Sequence, residues 1–83
     1  MTTAKLVSPH MDKGWSLQFF DCDEKVRNSV IGTVMDANTR VGCRAFLQGD
    51  FEGWMMVEFW TDDEDRILQA AEYFARATGV PIS

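Results

Sequence analysis

Long apolar runs are missing from this chain: no stretch approaches the ~20 residues that a membrane-spanning helix needs. The first residues include Lys5, Pro9 and His10 where a secretion signal requires an apolar stretch, so a cytoplasmic protein is expected. Cysteine is scarce, with only Cys22 and Cys43 and no C-x-x-C pairing. Together with one histidine, His10, they fall short of a four-ligand zinc site and read as reduced, buried thiols. Basic residues are also few, 8 Lys and Arg against 13 Asp and Glu, for a net charge of −5. That balance argues against nucleic acid as a partner, because such binding rests on neutralising phosphates. A basic protein partner or a cationic ligand is compatible with it.

Signatures of chemistry are missing too. His10 has no companion at a recognisable spacing, so no acid–base pair can be named, and a solvated loop histidine is expected. Asp21, Asp23 and Glu24 lack the further oxygen ligands and glycine turn of a calcium loop, and helix capping accounts for them. The Asp62 to Asp65 run reads the same way. Gly49 and Gly53 flank a turn instead of opening a helix, which rules out a phosphate loop. No cofactor or metal is expected, and a non-enzymatic protein is favoured.

What remains is the pattern of a globular domain. Of the 83 residues, 46% are hydrophobic and 25% charged, as in ordinary folded chains. Residues 1–83 form a single domain, opened by an irregular segment, 1–14, in which Lys5 to Val7 is a candidate edge strand. Met11-Asp12-Lys13-Gly14 has turn chemistry. Trp15 to Phe20 alternates as a half-buried strand, with Trp15, Leu17 and Phe19 on one side. Asp21 and Glu24 have capping-box spacing, and Val26, Val30, Ile31, Val34 and Ala37 then follow at helical intervals, with Asn38 at the end. The run from Val30 to Val34 is rich in β-branched residues and contains Gly32. A strand from Val26 to Met35 is therefore the rival for residues 22–37, although the apolar spacing fits a helical period better.

Arg40 to Gln48 and Trp54 to Trp60 read as a hairpin around a turn at Gly49 to Gly53. Thr61-Asp62-Asp63-Glu64 is a T-x-x-E capping box, Ile67, Leu68, Ala71, Phe74 and Ala75 make a buried stripe, and Gly79 and Pro81 stop the helix. Val80 to Ile82 allows a last short strand. The order βαββα(β) predicts an α+β protein with a ferredoxin-like plait, an antiparallel sheet with both helices on one face. A β-meander with one C-terminal helix is the alternative. In element order and length the chain also resembles ACT-type regulatory domains, at the level of topology alone, since it has no glycine at the strand-to-helix junction where such domains contact ligands.

The hairpin is apolar on both faces. Val41, Ala45, Leu47, Met55, Val57 and Phe59 suit a helix-covered core. Strand parity sends Phe20, Phe46, Trp54, Met56 and Trp60 to the opposite side, with Arg44 and Glu58 among them and able to pair across strands. These seven are the candidate binding residues. A chain this short is marginal as a monomer, so a homodimer that buries the second face is expected. The expected function is a binding module for a small apolar or aromatic molecule. The alternative is a regulatory protein that docks a larger partner through the same face and its acidic surface.

Overall fold

The computed structural model describes residues 1–12 and 14–83. It is an α+β protein, with β1 (Thr3–Val7), β2 (Ser16–Phe20), α1 (Glu24–Val41), β3 (Ala45–Phe51), β4 (Trp54–Phe59) and α2 (Glu64–Thr78). The four strands form one sheet in the order β1-β2-β4-β3. Every neighbouring pair is antiparallel. The final strand expected at Val80 to Ile82 amounts to one parallel bridge, Ile82 to Ala4. No helix among the described residues is long and apolar enough to cross a membrane.

Residues 24 to 41 are helical despite their β-branched run, which excludes the meander. Its cap is Asp23, whose carboxylate accepts from the N–H of Val26 at 2.8 Å, and not Asp21. Asp21 instead sits at φ 62° in the turn before the helix. The helix also runs past Asn38 to Gly42, so Arg40 and Val41 belong to α1 and β3 begins later than their spacing suggests. Burial decides the outcome: Val30, Thr33 and Ala37 lie inside, and Thr33 donates to the Ser29 carbonyl at 2.6 Å. Tertiary contact outweighs propensities of a few tenths of a kcal/mol per residue. In α2 the cap is Asp63, accepting from the N–H groups of Asp65 and Arg66, while Thr61 accepts from Asp63 itself. Gly79 ends this helix as expected.

Alternation along the strands produces one core. Leu17 and Phe19 of β2, Met55, Val57 and Phe59 of β4, and Ala45 of β3 point to one side of the sheet and are buried. Val30 and Ala37 of α1 and Ile67, Ala70 and Phe74 of α2 join the same cluster. Phe74 is the central wedge, with ring centroids 6.4 Å from Phe19 and 5.9 Å from Phe59. Leu68, placed in the stripe by spacing, is half exposed, and Ala70 is buried in its stead. The turn expected over Met11 to Gly14 is centred on Lys13, outside the described residues.

Phe74→Ala should cost about 3–5 kcal/mol by urea titration, a large part of the stability of any small domain. Leu68→Ala should cost under about 1 kcal/mol. Equal losses from the two variants would contradict this packing.

Candidate aromatic platform on the open sheet face

The turn that builds the hairpin is shorter than the glycine spacing suggests. Glu52 and Gly53 have φ of 47° and 86°, the paired positive angles of a two-residue turn that matches strand twist. Glycine at the second position relieves the steric penalty there. Shortening the turn brings Phe51 into β3, opposite Trp54. A bulge lies between Leu47 and Gly49, so Gln48 is the extra residue of the strand.

The pairing register then maps the open face in rows. Phe20 stands opposite Thr3. Continuing the β2–β4 pairing by one step puts Phe20 beside Trp54, whose other neighbour is Phe51. Gln18, Met56 and Gly49 form the next row, and Ser16, Glu58 and Phe46 the one after. Trp60 lies past the end of β4, where its N–H donates to the Arg44 carbonyl at 2.9 Å. Its ring stacks on Phe46 with centroids 4.3 Å apart.

Gly49 is where the face is flattened. A Cβ there would collide with the Trp54 ring, so the indole rests directly on the glycine backbone. The Trp54 indole N–H also reaches the Gln18 side-chain oxygen, at 3.4 Å. Trp54, Met56 and Phe46 are thereby half-buried among themselves, while Phe20, Phe51 and Trp60 remain 40, 69 and 62% exposed. At ~200 Å² per aromatic side chain, the last three alone expose roughly 350 Å², the size of a typical monomer's largest apolar patch.

The structure thus brings Phe20, Phe46, Trp54, Met56, Glu58 and Trp60 to one face. Arg44 is separate: it precedes β3, and among the described residues it makes no ion pair with Glu58. The register explains this, because Phe46 and not Arg44 stands opposite Glu58. Glu58 instead accepts a long 3.3 Å bond from the Gln48 amide. Sequence reasoning missed Phe51, which the Glu52-Gly53 dipeptide signals as a tight turn.

On the helix side of β3, Asp50 accepts three bonds from the Arg27 guanidinium, the shortest 2.6 Å, and this contact raises the Arg27 pKa. Both cysteines are free thiols. Burial pushes each above the usual thiol value, aided at Cys22 by Asp23, Asp50 and Asp21 and opposed at Cys43 by Arg66. Such thiols are poor nucleophiles. His10 is exposed.

Two concavities lie away from the platform. One, about 480 Å³, is an open hollow lined by Thr2, Asp21, Cys22, Asp23 and Glu52 beside the hairpin turn. The other, about 400 Å³, is an apolar groove between α2 and the β1 edge, lined by Leu6, Leu68, Ala71, Ala75 and Ile82. No protein-family signature, curated protein or solved structure matches this chain.

Gly49→Ala should lift Trp54 off the strand and cost about 1–3 kcal/mol. Its tryptophan emission should shift as the indole leaves the Gln18 contact. An unchanged spectrum and unchanged stability would show that the ring does not rest on Gly49.

Proposed function

We propose that this protein is a non-enzymatic interaction domain whose aromatic sheet face docks a basic protein partner. The carrying observation is Glu58. It is a half-buried carboxylate set among Phe46, Met56 and Trp60, with no ion-pair partner among the described residues. A carboxylate flanked by aromatic rings suits a guanidinium or ammonium group, which gains an ion pair and ring-face contact together. The net charge of −5 favours the approach of such a partner. Neither of the two concavities described above lies on the platform, which fits a protein surface better than a small molecule. Arg44 borders it and selects against partners presenting a second cation there. For the fold we favour a plait in which β2-α1-β3-β4-α2 supplies the core and β1 takes the sheet position that a C-terminal strand would fill.

A small apolar ligand remains a second reading, on other ground than the platform. The groove of about 400 Å³ lined by Leu6, Leu68, Ala71, Ala75 and Ile82 falls in the size range of ligand sites.

Fluorescence titration with an arginine-rich peptide tests the main reading, with a glutamate-rich peptide as control. Binding of the arginine peptide should change tryptophan emission, and Trp60→Ala and Glu58→Gln should each weaken it by roughly 2- to 30-fold, or about 0.5–2 kcal/mol. Binding that ignores both substitutions, or equal binding of the acidic peptide, would overturn it. A melting-temperature rise with apolar metabolites that Leu68→Glu abolishes would favour the groove.

A further inference from the structure

The two edges of the sheet are finished differently. Along β1 the C-terminal segment closes the edge: the Leu6 N–H donates to the Ser83 carbonyl at 3.2 Å, and the Ser83 N–H to the Ala4 carbonyl at 3.1 Å. The β3 edge, at the other end of the strand order, has β4 on one flank and, among the described residues, no strand on the other. A free strand edge is a template for another strand, and proteins usually blunt it with lysine, proline or inward-pointing charge. Between Ala45 and Phe51 there is neither lysine nor proline, and the one charge, Asp50, is already held by Arg27. The bulge is the only blunting device this strand carries.

That bulge also decides which strand fits. Phe46 faces the platform and Leu47 the core. Gln48 and Gly49 both face the platform, as the Glu58 bond and the Trp54 contact show. Asp50 turns back to the helix side, where it meets Arg27, and Phe51 returns to the platform. The sequence of faces from 46 to 51 is therefore palindromic about the Gln48–Gly49 bond. A regularly alternating strand laid antiparallel on this edge would fall out of phase at the bulge, since opposed residues must share a face. A second β3 carries the same double step at the same place.

We propose that two copies of this chain pair antiparallel through β3, with the twofold axis between Gln48 and Gly49, merging two four-stranded sheets into one. In that register Phe46 stands opposite the partner copy's Phe51, and the reverse, giving two aromatic cross-strand pairs on the platform side. Gln48 stands opposite glycine, and Leu47 opposite the Asp50–Arg27 pair. Arg44, without an ion partner among the described residues, comes opposite Gly53 of the other copy, one position from Glu52, at each end. The two platforms become one continuous surface. This goes beyond the docking of a basic partner and does not depend on it.

The test is a mixed sample of isotope-labelled and unlabelled chains, read by isotope-filtered NOE spectroscopy alongside sedimentation. Within one chain Phe46 and Phe51 lie roughly 16 Å apart along the strand at ~3.3 Å per residue, so a contact between them can arise only between copies. A concentration-dependent dimer with Phe46–Phe51 cross-peaks is expected. Phe51→Lys should raise its dissociation constant by roughly tenfold. The circular dichroism should be unchanged, because Phe51 is 69% exposed. A chain that stays monomeric at high micromolar concentration would overturn the proposal. So would a dimer whose cross-peaks join Phe20 or Met56 to the opposing platform, because that is face-to-face stacking. A monomeric chain leaves the peptide reading untouched, whereas face-to-face stacking would cover the platform and compete with a basic partner for it.

Discussion

The structure depends on the wedge of Phe74 between Phe19 and Phe59, which fastens α2 to one face of the sheet. All three rings are essentially inaccessible to water. A chain of 83 residues can assemble only one such core, since a domain this size buries about 60% of its unfolded surface. Strand alternation does the rest. Once Leu17, Phe19, Met55, Val57 and Phe59 are committed to the helices, their neighbours Gln18, Phe20, Trp54, Met56 and Glu58 must face away. The platform is thus a geometric consequence of the core, but its aromatic content is not. Polar side chains would serve a solvated face equally well, and their replacement by aromatics is what points to a binding role.

Gly49 and Trp54 give the platform its shape. Without a side chain at position 49 the indole lies flat on the strand, leaving Met56 and Glu58 framed between Trp54 at one end and the Phe46–Trp60 stack at the other. The same glycine sits in the bulge that disrupts the regular edge of β3. One residue therefore shapes both the open aromatic face and the outer edge of the sheet. The Arg27–Asp50 pair, although partly exposed and worth little by itself, ties the start of α1 to that strand.

Much of this was legible from residue order, for identifiable reasons. The second helix has strong end signals in Thr61 to Glu64 and in Gly79, although the cap moved to Asp63 because Thr61 bonds the Asp63 N–H. The parity of Trp54, Met56 and Trp60 was legible because β4 alternates without interruption, and that of Phe46 because it precedes the bulge in β3. The first helix was ambiguous because its β-branched residues are stabilised by burial that local sequence does not display. The start of β3 was misplaced for a related reason: Arg40 and Val41 continue a helix that ends only at Gly42. The bulge was not legible. It breaks the period of two at Gln48, whereas the five-residue turn suggested by Gly49 and Gly53 is what hid Phe51 in an expected loop and made an Arg44–Glu58 pairing look natural.

Solvent access at the three tryptophans is the most direct measurement of the central claim, that one sheet face carries the core and the other is an open aromatic surface. With 5-fluorotryptophan incorporated, the fluorine shift between light and heavy water reports exposure at each ring separately. In dilute protein Trp60 should show the largest solvent shift, with smaller ones at Trp54, shielded by Gly49, and at Trp15, packed against the core. A Trp60 no more exposed than Trp15 would mean that the face is covered within the chain, and the account would be wrong.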